Sequence, residues 1–459
     1  MDTATTAQVK AVEKSTIRKV SIRLVPFVAL MFFINYLDRS AIGFAAPNGM
    51  DQDLALTAAQ IGFASGVFFI GYILLEVPSN LALARFGARR WLARIMVTWG
   101  IVAVLFTWVQ NFEQLAILRF VLGVAEAGFF PGAILFLSLW VPSRHRGKIL
   151  ALFYLAQPLT TVIGAPLAGA LIQADGLFGL EGWRIMFLGV GAPAIIVGIV
   201  AWFYLKDKPT DAKWLTPEEQ QWLTEELEAE RTRTEAIQTA KSGHGKGGLK
   251  IAFSSGRVWM LSFIYFGFIY GLYALAFFLP TIISGFQAQY DVEYDVFQRG
   301  LITAIPYVPA AIALWLWSRD VAKRGLKTWH IVGPAVVGAV TIPVALFAGS
   351  PQLTIAIIAI TAMSIFAVLP NFWTLPTQFL TGAAAAAGVA VINTVGNLAG
   401  FSAPYIPGAV ADATAVDGTP QYYVPMMIVG GFMLISAVLM LILSRRTLST
   451  PELRPADLS

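Results

Sequence analysis

Long uninterrupted apolar runs alternate along the chain with short polar connections. The runs are continuous rather than alternating every second residue, so they read as helices, not strands. Most approach the roughly 20 residues a helix needs to cross a bilayer core of about 30 Å. Twelve spans are predicted, at 24–47, 59–84, 91–109, 115–140, 149–172, 185–205, 258–285, 300–317, 331–347, 353–375, 385–410 and 424–443. In lipid only helices and closed barrels satisfy their own backbone groups. The pattern therefore predicts an all-α membrane protein with twelve transmembrane helices.

Composition agrees with that picture. Hydrophobic residues make up 57% of the 459 residues and charged residues 13%, about half the charge of a soluble domain. The segment before Ser21 is polar and the first apolar run is too long for a signal h-region, so no cleavable signal is expected. There is no cysteine, which excludes disulfides, thiolate chemistry and Cys-based metal sites. The net charge of +5 does not require a nucleic-acid partner, because the basic residues fall where topology needs them. Arg39 and Arg119 lie inside spans, Arg94 lies in the first turn of span three beside the second connection, and Arg184 and Arg299 lie on the side opposite the N-terminus; every other Lys and Arg of the 32 sits in the tails or the even-numbered connections. By the positive-inside rule both termini are cytoplasmic.

The longest connection, 206–257, separates a six-helix bundle at 1–205 from a second bundle and tail at 258–459. Within it, TPEEQQWLTEELEAER predicts a short amphipathic helix. Thr216 is its N-cap, Pro217 its first residue and Glu219 the closing member of a capping box. Trp222, Leu223 and Leu227 then share a face, and SGHGKGG reads as a flexible linker. Matching basic turns follow spans two (RFGARRW) and eight (RDVAKRGLKTWH), as expected of two parallel repeats with a binding site near the midplane.

These features resemble the major facilitator superfamily over nearly the whole chain. Arg85, Gly87, Arg89 and Arg90 match its signature after span two, although Asn80 and Ala84 replace the usual Gly and Asp. A narrower resemblance is to the anion:cation symporter family. It is carried by NYLDRSAIGFAAP (35–47), EVPSNLALARFGARRW (76–91), RFVLGVAEAGFFPG (119–132), EGWR (181–184) and DAKWLTPEE (211–219). The resemblance implies import of an organic acid anion such as a sugar acid, dicarboxylate or aromatic acid, generally by proton symport. It also implies that matching acidic residues are proton sites and matching Arg residues bind or pair with substrate.

The residues themselves point the same way. An ionisable group at the centre of a span costs about 2.5–3.5 kcal/mol on insertion scales, so its default reading is functional. The first half holds Asp38, Arg39, Glu76, Arg119 and Glu126, whereas no Asp, Glu, Lys, Arg or His lies between His330 and Asp412. Arg119 and Glu126 share a face of span four, while Asp38 and Arg39 are adjacent and about 100° apart on span one. Arg39 and Arg119 are assigned to the substrate carboxylate, which a guanidinium fork matches bidentately. Glu126 is the main proton carrier and Asp38 a second carrier or the resting partner of an Arg. Burial opposes charge on Glu126 while a nearby Arg favours it, so protonation can follow the transport cycle. Glu76, at the cytoplasmic end of span two, reads as a gate or structural residue.

Neutral groups complete the candidate site. Tyr72 and Gln157 fall near the midplane of the first half, and Trp373 and Asn393 rank highest in the second. A monoanion entering a negative-inside cell works against about 2.3 kcal/mol per 100 mV, and one co-transported proton cancels that charge. The partners are thus a small organic acid anion, protons and the lipid bilayer of the inner (plasma) membrane, with the carrier a monomer. The competing readings are a proton-independent anion exchanger or uniporter and a drug exporter, the last disfavoured by two buried Arg residues. No enzyme constellation accompanies His145, His244 and His330, so neither catalysis nor a cofactor is expected.

Overall fold

In the computed structural model the described residues are 3–241, 253–376 and 382–448. Among them, eleven helices are long and apolar enough to cross a membrane, and they coincide with predicted spans one to ten and twelve. Span eleven falls on a 32-residue helix, Gly382–Ala413, which is not one of those eleven. The chain divides into two compact units. One comprises Met1–His244 and Ala276–Val308, the other Gly245–Leu275 and Pro309–Ser459.

In the first unit, α1 (Thr3–Ala45) begins far ahead of the apolar run that starts at Leu24. The polar tail is helical because its side chains find partners on the linker helix. After the short α2 (Met50–Asp53) come α3 (Ala58–Phe86), α4 (Ala88–Leu105), α5 (Phe112–Glu126) and α6 (Phe129–Ser138). Span four is therefore not one continuous helix. It breaks immediately after Glu126, where Ala127 turns extended and Gly128 takes φ +83°, a conformation costly to any residue with a Cβ. The Ser79 hydroxyl on α3 donates to the Ala127 carbonyl freed by the break and accepts from the Trp91 indole N–H at 3.0 Å. The pattern missed this because apolar residues continue through the break.

Then follow α7 (Ser143–Gln173), α8 (Gly182–Tyr204) and the linker helix α9 (Pro217–Lys241). The α3 and α5 backbones touch at Gly123, where a Cβ would collide with the Phe68 carbonyl. Leu37 of α1 packs on Gly164 of α7. The Thr216–Glu219 capping box forms as predicted, at 2.9 and 3.3 Å. However, α9 runs 25 residues, longer than the short helix expected. Its acidic stripe binds two other segments. Glu219 accepts from Ser15 at 2.6 Å and Lys19 at 2.8 Å on α1, and Glu226 and Glu230 pair with Arg144 and Arg146 at the start of α7 at 3.4 and 2.9 Å. Leu223 is buried beneath that stripe.

The basic turn after α3 closes on Asp207, whose carboxylate accepts from the Arg89 backbone N–H at 2.9 Å. At the opposite end, Arg184 bridges Asp53 at 2.7 Å and Glu181 at 2.5 Å, and donates to the Thr107 and Val109 carbonyls at 3.0 and 2.6 Å. Also in this unit are the later turns of α10 (Gly256–Ser284), then α11 (Phe286–Tyr290) and α12 (Val296–Ala304). There Arg299 donates to the Asn48 side chain at 3.3 Å.

The second unit holds the earlier turns of α10, most of α13 (Tyr307–Arg324), then α14 (Trp329–Val344), α15 (Pro351–Phe372), α16 (Gly382–Ala413) and α17 (Tyr423–Leu448). Predicted span eight is interrupted between Ala304 and Tyr307, where α12 gives way to α13. Ser436 ties α17 to the Ile264 carbonyl of α10 at 3.0 Å. His330, fully buried, accepts at Nδ1 from the Lys327 N–H at 2.8 Å, so its Nε2–H donates to Asp320 at 3.0 Å. That histidine is a structural clasp for the second basic turn.

Candidate functional site

The first unit gathers the four predicted charges in one place. Asp38 and Arg39 come from α1, Arg119 and Glu126 from α5, and the close approach of α3 to α5 supplies the wall. Asp38, Arg119 and Glu126 are each 0% exposed. The Arg39 guanidinium donates to Glu126 at 3.0 Å, and 12% of its side chain remains exposed against none of Glu126. Arg119 is anchored to backbone. Its Nε donates to the Ala64 carbonyl at 3.2 Å and its Nη2 faces the Arg39 and Ser65 carbonyls at 3.4 and 3.5 Å. Its Nη1 is buried with no hydrogen-bond partner among the described residues.

Asp38 lies beside the Glu126 carboxyl and feels both guanidiniums. Neither of its oxygens has a donor within hydrogen-bond distance among the described residues. Although Asp38 and Arg39 diverge around α1, the length of the arginine lets both border Glu126. Two carboxyls and two guanidiniums thus make a closed set whose formal charges cancel when all are ionised.

An aromatic wall from α3 backs the cations. The Arg39 guanidinium carbon lies 4.9 Å from the Phe68 ring centroid, 5.8 Å from Phe69 and 5.2 Å from Tyr72. Arg119 lies 5.2 Å from Phe68. Ring faces stabilise a desolvated cation by about 2 kcal/mol or more, so the wall holds positive charge without neutralising it. Tyr72 is thereby placed at the cluster. Gln157 is half-buried on α7. Trp373 and Asn393 belong to the second unit. Trp373 lies just past the end of α15 rather than within a span and packs edge-on against Tyr265 at 4.8 Å. Asn393 is half-buried on α16.

Sequence reasoning passed over two contributors. Phe68 contacts both arginines, and its signal was its place one turn before Tyr72 on α3. Asn35, 1% exposed, lies one turn before Arg39 on α1, and its amide nitrogen is buried with no hydrogen-bond partner among the described residues. The Ala64 and Ser65 carbonyls that hold Arg119 carry no side-chain signal at all. No cluster of metal-ligating side chains occurs among the described residues.

The sequence pattern of the Major Facilitator Superfamily matches residues 28–404. The chain belongs to that superfamily. It is a membrane transporter rather than an enzyme, a multi-pass protein of the inner (plasma) membrane. A relative from Agrobacterium vitis named for tartrate transport is 43% identical over 445 residues, covering 97% of this chain and 95% of its own. A relative from Acinetobacter baumannii named as a quinolone resistance transporter is 37% identical over 422 residues, covering 92% and 94%. Among solved structures, a bacterial homologue of the human lysosomal transporter Spinster superposes with a TM-score of 0.69 at 18% identity, covering 92% of this chain and 96% of that one. Its likeness extends to the fold.

Proposed function

We propose that this superfamily member imports a small organic acid anion by proton symport, using alternating access, with the Asp38–Arg39–Arg119–Glu126 cluster as its charge centre. The observation that carries the reading is the Arg39–Glu126 ion pair at 3.0 Å inside a buried, charge-balanced set. A substrate carboxylate entering that set adds one negative charge in a desolvated place. One proton taken up on Glu126 cancels it and releases Arg39 from its partner. The freed guanidinium then receives the carboxylate bidentately. Arg119, committed to backbone, keeps its charge in place and offers Nη1 as the remaining donor. Asp38, with two oxygens lacking donors, takes a second proton when the substrate carries a second carboxylate.

The relative named for tartrate transport supports a dicarboxylate, and with it two protons. Twelve spans with both termini cytoplasmic, bundles at 1–205 and 258–459 joined by 206–257, and a monomeric state complete the reading. Tyr72 and Gln157 are assigned to substrate hydroxyls, and Trp373 and Asn393 to the part of the substrate that distinguishes one acid from another.

Uptake into proteoliposomes tests this. Labelled tartrate and a monocarboxylate are offered with the lumen alkaline, then with equal pH on both sides. Accumulation that follows the pH gradient is expected, with the dicarboxylate responding more steeply. Uptake indifferent to pH would leave an exchanger or uniporter. A second reading, drug export, rests on the relative named for quinolone resistance. Efflux of a quinolone from preloaded vesicles, without competition by tartrate, would favour it.

A further inference from the structure

The first unit carries a cleft of about 410 Å³ between α4 and α8, whose lining includes none of the charge cluster. Val97, Gly198, Trp202 and Phe203 form its walls, and Arg94 and Thr98 also line it, although the surface facing the cleft is almost wholly apolar and the Thr98 hydroxyl donates to the Arg94 carbonyl of its own helix. The helices touch at Gly198, where a Cβ would press within 2.9 Å of Met96 and Val97. Trp202 and Phe203, 43% and 70% exposed, place the cleft on the outer surface of the bundle. In a membrane protein that surface faces acyl chains.

An arginine on such a surface is out of place unless something meets it. Arg94 stands within α4, inside a candidate membrane span. Its guanidinium lies 4.0 Å from the Trp91 ring centroid, and its Nε is buried with no hydrogen-bond partner among the described residues. No described carboxylate pairs with it. Two further cations lie within a turn of lining residues. Arg90, exposed, is one turn nearer the basic end of α4. Lys206, just past α8, donates to the Phe203 carbonyl at 3.0 Å, which holds it beside the rim. The neighbouring Asp207 is engaged with Arg89 instead.

We propose that this cleft is a binding site for an anionic phospholipid of the surrounding bilayer. The phosphate sits on Arg94, with Lys206 and Arg90 at the rim, and an acyl chain lies along Val97, Ile199 and Trp202. Cations beside the cleft and its alkyl-lined walls match a lipid whose headgroup carries net negative charge. A zwitterionic choline headgroup brings its own ammonium to the same cations and is disfavoured.

Native mass spectrometry of the purified full-length protein tests the site, with phosphatidylglycerol and phosphatidylcholine of identical acyl chains added in equal amounts. The wild type is expected to retain phosphatidylglycerol over phosphatidylcholine by about fivefold, the discrimination one arginine near a charged headgroup provides. Arg94→Gln should bring the ratio near one. Ile199→Trp, which fills the cleft without touching a charge, should reduce retention of both lipids. Equal retention by the wild type, a preference that survives Arg94→Gln, or full retention in Ile199→Trp would each overturn the proposal. The last variant decides the matter if Arg94→Gln fails to fold.

Discussion

At the scale of single residues, Arg39 and Arg119 differ although both are buried arginines beside Glu126. Arg39 is held by a carboxylate that a proton can neutralise, and it keeps partial exposure; Arg119 is held by backbone carbonyls that do not titrate. Arg39→Lys keeps the charge but loses the planar fork, so tartrate affinity measured by counterflow should fall about tenfold, the loss of roughly one charge-assisted hydrogen bond. Arg119→Ala leaves Asp38 and Glu126 under-compensated and should lower thermal stability in detergent by about 3–5 kcal/mol, as expected for breaking a buried charged set. The charges themselves were legible because ionisable residues are conspicuous in apolar runs. The difference between the two arginines was not, since it depends on carbonyls that α3 presents only once it packs on α5.

At the scale of elements, the break after Glu126 is the feature the hydrophobic pattern concealed. Apolar residues run through it, and periodicity records only where greasy side chains fall. The signals were present but local: Gly128, and Pro131 in the first turn of α6, where a proline is tolerated. Ending α5 at Glu126 frees the Ala127 carbonyl, which the Ser79 hydroxyl reaches. Gly128→Ala should therefore cost about 1–3 kcal/mol through its positive φ, with a further penalty from contact with Ser79. Ser79→Ala should cost about 1–3 kcal/mol by leaving the Ala127 carbonyl unsatisfied. Thermal unfolding in detergent checks both, and a fully stable Gly128→Ala protein would contradict the assigned geometry. The capping box of α9, by contrast, was readable to the residue, because a cap is a contact between positions three apart.

At the scale of the whole molecule, composition and charge placement announced a helical membrane transporter, and the fold is that of the superfamily. The partners of the polar tail were not readable, because Ser15 and Lys19 lie about 200 residues from Glu219 in the chain. Burial alone would raise the Glu219 carboxyl, but hydrogen bonds from Lys19, Ser15 and the Thr216 N–H outweigh it and hold the group below its ordinary value. A depressed carboxyl contributes stability above its unfolded value, and that stability is lost as pH falls through the lower folded value. Glu219→Gln should accordingly be less stable than wild type near neutrality by about 1 kcal/mol, with the gap closing in acid below the ordinary carboxylate range. Melting curves across pH follow it.

That Glu126 takes up a proton together with the substrate anion is tested most directly by Glu126→Gln in proteoliposomes. A permanently neutral residue still releases Arg39 to bind the anion but carries no proton. The variant should exchange labelled for unlabelled tartrate across the membrane while failing to accumulate it under an imposed pH gradient. Accumulation at the wild-type level would contradict the account.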